Sequence, residues 1–67
     1  VSALFKIVWT DGYNREMVAE YAEEENLSYV EAEAFCAALR DASTWDGNWW
    51  EVRPQNARLW RGMEEFV

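Results

Sequence analysis

Residues 13–25 read YNREMVAEYAEEE, and whether they form helix or strand decides the fold. Their glutamate and alanine content favours helix. Met17, Val18, Tyr21 and Ala22 also fall on one helical stripe. The same residues alternate as a strand would, with Met17, Ala19 and Tyr21 on one side and Val18, Glu20 and Ala22 on the other. Propensity weighs toward helix; the alternation leaves both assignments open.

The flanks are clearer. ALFKIVW at 3–9 is rich in β-branched and aromatic residues and stops at the turn signal Thr10-Asp11-Gly12, which predicts a strand. Leu4, Lys6 and Val8 share one face; Ala3, Phe5, Ile7 and Trp9 share the other, which is the better core candidate. NLSYVEAEAFCAALRDAS at 26–43 predicts a helix over 29–42. Ser28 and Glu31 form a capping box that satisfies amide donors at the helix start, and Leu27 and Ala32 are spaced for a hydrophobic staple. On a helical wheel Ala32, Phe35, Ala38, Leu39 and Ala42 face the core, and Val30, Glu33, Ala37, Arg40 and Asp41 lie opposite. NWWEVR at 48–53 reads as a strand that Pro54 ends or places at an edge, since proline cannot donate to a ladder. ARLWRG at 57–62 reads as a further short strand or an extended tail, with Phe66 placed to pack back on the core. The expected fold is α+β in a single small domain, 1–67. It has a small antiparallel sheet of three to four strands with one main helix, 29–42, on one face. The order is ββαβ if 17–23 is a strand and βααββ if it is a helix.

Bulk properties narrow the chemistry. A chain of 67 residues builds a thin core, worth roughly 3–5 kcal/mol. Cys36 is the only cysteine and histidine is absent, so an internal disulfide, the usual zinc ligand sets and histidine-based triads are excluded. Reinforcement falls to the eleven aromatic residues, each able to bury about 150–250 Å², or to self-association. No apolar run approaches the ~18 residues of a membrane span, and VSALFKIVW lacks the pattern of a signal peptide. A cytoplasmic protein without cofactor or metal is expected. DASTWDGN at 41–48 carries Asp41, Ser43, Asp46 and Asn48 but not the spacing of a calcium loop. Cys36 has no histidine to activate it and reads as a small hydrophobe, and no phosphate or dinucleotide fingerprint occurs. Enzymatic activity is not expected.

Two stretches carry a resemblance. VAEYAEEENLSYVEAEAF at 18–35 resembles a pattern in small, largely uncharacterised bacteriophage-encoded accessory proteins: V-x-E, a short apolar strand, then E-N-L/V leading into a helix. WWEVRPQNARLW at 49–60 is similar to the same proteins' aromatic strand and V-P-x-x-Y-K-L-Y-like tail, with Pro54, Arg58, Leu59 and Trp60 in the matching places. The two stretches cover under half of the chain. Arg53 stands where the pattern has an apolar residue, Ala57 where it has tyrosine, and Glu23 and Glu24 interrupt the second strand. The resemblance implies that 17–23 is a strand, hence ββαβ, and an accessory role in the cytoplasm of a bacterial host. It implies no catalytic residue.

Net charge is −7, with eleven acids and three bases before residue 52, and Arg53, Arg58 and Arg61 against Glu64 and Glu65 after it. Phosphates would be repelled, so direct nucleic-acid binding is disfavoured; a basic protein partner fits. Glu20, Glu23 and Glu24 are the candidates to imitate a DNA phosphate track and occupy a basic groove in a host defence or nucleic-acid-binding protein. Trp49, Trp50, Arg53, Arg58, Trp60 and Arg61 are the candidates for short-range contact, because Trp and Arg dominate binding hot spots. A strand sends Trp49 and Trp50 to opposite faces, so one of the pair should be exposed or lie in a dimer interface. The expected role is therefore an acidic protein-interaction module, of the kind a phage uses to inhibit a host protein. The alternatives are a homo-oligomer joined through exposed tryptophans and a single-strand binder using 49–61 as a stacking platform.

Overall fold

The 13–25 segment divides into a loop and a strand. In this computed structural model, which describes residues 3–66 and only the backbone of Glu64 and Phe66, the elements are β1 (Phe5–Asp11), β2 (Tyr21–Leu27), α1 (Tyr29–Ala42), β3 (Asn48–Pro54) and a closing 3-10 turn (Gly62–Phe66). The fold is α+β, with order ββαβ and a three-stranded antiparallel sheet β2-β1-β3. The helical propensity of 13–25 is overridden by pairing. Tyr21, Ala22 and Glu24 stand opposite Trp9, Val8 and Ile7, and a strand's fit to its neighbours outweighs its intrinsic preference. Strand β2 begins four residues later than the expected 17–23. Residues 13–18 are held as a turn instead, because Asp11 Oδ1 accepts from the Tyr13 and Asn14 amides at 2.9 and 3.1 Å. The Asn14 carbonyl then accepts from Met17 and Val18.

Central β1 is paired on both sides. Its ladder with β3 is regular from Phe5↔Pro54 to Asp11↔Asn48. Its ladder with β2 is interrupted between Phe5 and Ile7 and again between Ile7 and Val8. Near the first interruption Asn26 adopts φ 59, a left-handed geometry that Asn tolerates better than most residues. Its amide donates to Gln55 Oε1 at 2.7 Å. Such irregularities break the straight edge that an outer strand would present.

The capping box forms as expected, and α1 starts at Tyr29. The helix packs over β3 and β1. Its buried residues are Ala32 and Cys36, with Leu39 half-buried, and they meet Ile7 and Trp50. The expected core face is thus turned: Phe35, Ala38 and Ala42 are exposed. The reason lies at the β3 edge. The Trp50 carbonyl, on the side away from β1, accepts from Cys36 Sγ at 3.3 Å and from Arg40 Nε and Nη2 at 3.2 and 2.6 Å. These bonds draw the Cys36–Arg40 side of the helix toward β3.

The other sheet face is also covered, though by irregular chain. Lys6, Val8 and Thr10 are buried there. Lys6 Nζ donates to the Ala57 carbonyl at 2.6 Å, and the Glu20 amide donates to the Trp60 carbonyl at 2.8 Å. The loop before β2 and the tail after β3 therefore close this face together. Residues 57–61 form no fourth strand. Gly62 lets the tail turn: its φ is +66, and a Cβ there would lie 2.7 Å from the Met17 carbonyl oxygen. The expected packing of the Phe66 side chain falls outside the described residues.

Candidate functional site

Alternation along β3 separates the two adjacent tryptophans. Trp50 is 7% exposed and sits under α1, while Trp49 is 48% exposed on the opposite side. The Trp50 indole donates to Glu23 Oε1 at 3.3 Å, crossing the sheet to reach β2. The Trp49 ring carries the Arg40 guanidinium 4.9 Å from its centre. Hollows of about 260 Å³ (Gly12, Arg15, Asp46, Asn48, Trp49) and about 390 Å³ (bordered by Arg40, Thr44 and Trp45 among others) flank that ring. Tyr13 and Trp45, both exposed, meet at a ring separation of 5.9 Å. Tyr13 and Trp45 carry no periodicity, which is why the sequence pattern misses them as neighbours of this aromatic end.

Most of the residues expected to meet a partner are engaged within the fold. Glu20 Oε1 accepts from Arg53 Nη1 at 2.9 Å and the Trp60 amide at 2.8 Å; Oε2 accepts from Arg53 Nη2 at 2.8 Å and Thr10 Oγ1 at 3.0 Å. Arg53 also bonds Glu51. With its side chain 7% exposed, Glu20 is a structural lock, and Arg53 is its counter-ion. Trp50 is core. Burial pushes the Glu20 carboxyl up, but the bonds from Arg53, the Trp60 amide and Thr10 outweigh it and hold the group below the usual carboxylate range. Trp60 is half-buried beside this lock. Arg58 and Arg61 are exposed and pair with Glu65 at 2.6 and 3.5 Å. Glu23 is half-buried beneath Trp50, and Glu24 is exposed. The expected residues thus do not converge on one patch. Trp49 lies at one sheet end, Glu24 on the β2 edge, and Arg58 and Arg61 on the tail.

Charge is what converges. Residues 16–39 hold seven of the thirteen carboxylates and none of the six basic residues, so the whole net charge of −7 lies in this segment and the rest of the chain balances. Only Glu20 among these seven is paired with a base among the described residues. Five of the seven, Glu23, Glu24 and Glu25 on β2 and Glu31 and Glu33 on α1, stand without a basic partner among the described residues. The exposed side of α1 adds apolar surface: Val30, Ala34, Phe35, Ala37, Ala38 and Ala42 all face solvent. The wheel places these residues correctly as helical, but only the pull of Cys36 and Arg40 on Trp50 reveals which of them are left outside.

Among the described residues no group of three Cys, Asp or Glu side chains could hold a metal ion, and no helix is long and apolar enough to cross a membrane. Burial raises the Cys36 thiol pKa by more than Arg40 lowers it, which leaves a weakly donating S–H rather than a thiolate nucleophile. Comparison with protein-family models, with curated proteins and with solved structures found no match.

Proposed function

We propose that the chain is a small acidic interaction module that docks on a basic surface of another protein, as a phage-type inhibitor of a host defence or nucleic-acid-binding protein would. The observation that carries the reading is the excess of seven carboxylates over bases in residues 16–39, five of them, Glu23, Glu24, Glu25, Glu31 and Glu33, on β2 and α1. Charge of one sign raises association rates with an oppositely charged site and does so in a salt-dependent way. The Glu20–Arg53 lock ties the loop before β2 and the tail after β3 to the sheet. The test is capture from bacterial lysate at low and high salt, followed by titration of the purified captured protein. The parent is compared with a variant in which Glu23, Glu24, Glu25, Glu31 and Glu33 become Gln. A basic protein bound at low salt, released at high salt and lost in the variant supports the reading. Capture indifferent to the five substitutions overturns it.

A second reading, self-association, is favoured by the exposed Tyr13, Trp45 and Trp49. Light scattering separates the two, since a strict monomer removes the dimer. Single-strand binding is weakened by the pairing of Arg53, Arg58 and Arg61 with Glu20, Glu51 and Glu65. Tryptophan emission unchanged by oligonucleotide at low salt would remove it.

A further inference from the structure

Helix α1 carries four exposed charges, Glu31, Glu33, Arg40 and Asp41, with apolar surface between them. Its inner side holds Ala32, Cys36 and Leu39, and its outer side exposes Val30 (78%) and Phe35 (46%) with four alanines. On the wheel these charges leave one exposed flank, holding Ala34, Ala38, Ala42 and Phe35, with Glu31 as its one charge. The largest exposed side chain on the flank away from Arg40 is Phe35. It borders a hollow of about 330 Å³ with Glu31, Ala34 and Ala38. The row Ala34–Ala38–Ala42 runs beside the row Glu31–Phe35–Leu39, one small and one large, which is the relief into which the ridge of another helix fits.

What covers this flank is decided by charge. Every ionisable side chain from residue 16 to residue 39 apart from tyrosine and cysteine is a carboxylate. A second copy would bring the same acids against Glu31, and an anionic lipid surface or a nucleic acid would be repelled likewise. A helix with an apolar stripe flanked by Lys and Arg satisfies both the hollow and the field. We infer that the outer flank of α1, centred on Phe35 with Ala34 and Ala38 and edged by Glu31, is the seat for a basic amphipathic helix of the partner protein. This rests on the acidic-module reading and adds to it the exact kind of surface that docks. The apolar contact sets register and the carboxylates set attraction, as in other helix-in-groove recognition.

The test uses two fluorescent 20-residue peptides of identical Leu/Lys composition, one with its leucines on a single helical stripe and one with them dispersed. Binding to the intact chain is followed by anisotropy at 50 and 300 mM salt. The striped peptide should bind about tenfold more tightly than the dispersed one, an apolar side chain's worth of burial. Ala38→Gln, a substitution on the exposed helix surface that fills the hollow without adding charge, should erase that difference, as should Phe35→Ser. Circular dichroism on both variants confirms that they fold. Equal, salt-sensitive binding of both peptides, indifferent to Ala38→Gln, would overturn the helix seat and leave the acidic-module reading standing. Binding of neither peptide at 50 mM salt would overturn both.

Discussion

Glu20→Ala removes one carboxylate that joins four parts of the chain: Thr10 of β1, Arg53 of β3, the Trp60 amide of the tail, and its own loop. Deleting one member of a buried ion pair costs about 3–5 kcal/mol, because the remaining charge is left uncompensated. Arg53 retains Glu51 and its side chain is 23% exposed, so the lower end, about 3 kcal/mol, applies to the pair. The Trp60 N–H loses its acceptor and the Thr10 hydroxyl its partner, for about 1 kcal/mol each. The sum, about 5 kcal/mol, matches all the stability that a core of this size supplies, roughly 3–5 kcal/mol. The variant should therefore be largely unfolded at 25 °C. Glu20→Gln keeps an acceptor oxygen but loses the charge, and should cost about 2 kcal/mol, a fall of roughly 8–16 °C in Tm at about 4–8 °C per kcal/mol. Glu24→Ala, on the exposed β2 edge, should stay within about 0.5 kcal/mol. Urea unfolding followed by tryptophan fluorescence and circular dichroism measures all three. A Glu20→Ala variant within about 1 kcal/mol of the parent would refute the lock.

Acid should act on the same group: a carboxyl held below its unfolded pKa of about 4.3 contributes stability above that value and loses it as the pH falls through the folded one. The parent should lose stability below about pH 4.3 more steeply than Glu20→Gln, and parallel urea-midpoint profiles would contradict this. Gly62→Ala forces a side chain into a left-handed position against the Met17 carbonyl and should cost about 1–3 kcal/mol, read from thermal unfolding. Ser28→Ala removes the helix cap and should cost about 1 kcal/mol, again by urea midpoint. Trp50→Ala should cost about 3–5 kcal/mol and unfold the chain, whereas Trp49→Ala should change stability by less than about 1 kcal/mol; similar losses for the two would mean that the pleat does not separate them.

Local rules carried the sequence reading as far as local chemistry reaches. The Ser28–Glu31 box placed α1 at 29–42, and Pro54 placed the end of β3, because caps and proline act within a few residues. Alternation predicted that Trp49 and Trp50 part company, and they do. The start of β2 was missed by four residues because the Asp11 side chain captures the Tyr13 and Asn14 amides and delays the strand. The facing of α1 was misjudged because a wheel weighs Phe35 as apolar. It cannot see that Cys36 and Arg40 find a carbonyl on the β3 edge. Glu20 stood in the sequence as one of a run of acids. Only the fold, by bringing residue 53 beside it, separates it from Glu23 and Glu24.

The two faces of the sheet are closed by unlike physics, and that difference explains what remains outside. The Cα atoms span 37 × 30 × 10 Å, a slab one helix and one sheet deep. On the helix side, closure is by apolar contact with small residues, Ala32 and Cys36, which allow close approach but cover little area. On the far side, closure is by polar bonds from Lys6, Thr10, Glu20 and Arg53, which hold irregular chain in place. Neither device uses up the apolar surface that eleven aromatic residues bring. The surplus emerges where each device ends: indole at the end of β3, and Phe35 with its alanines on the back of α1. Five carboxylates of β2 and α1, Glu23, Glu24, Glu25, Glu31 and Glu33, stand without a basic partner among the described residues, so like charge works against bringing two copies together on that side. A protein so built covers both faces of its sheet and leaves apolar surface on the back of its helix.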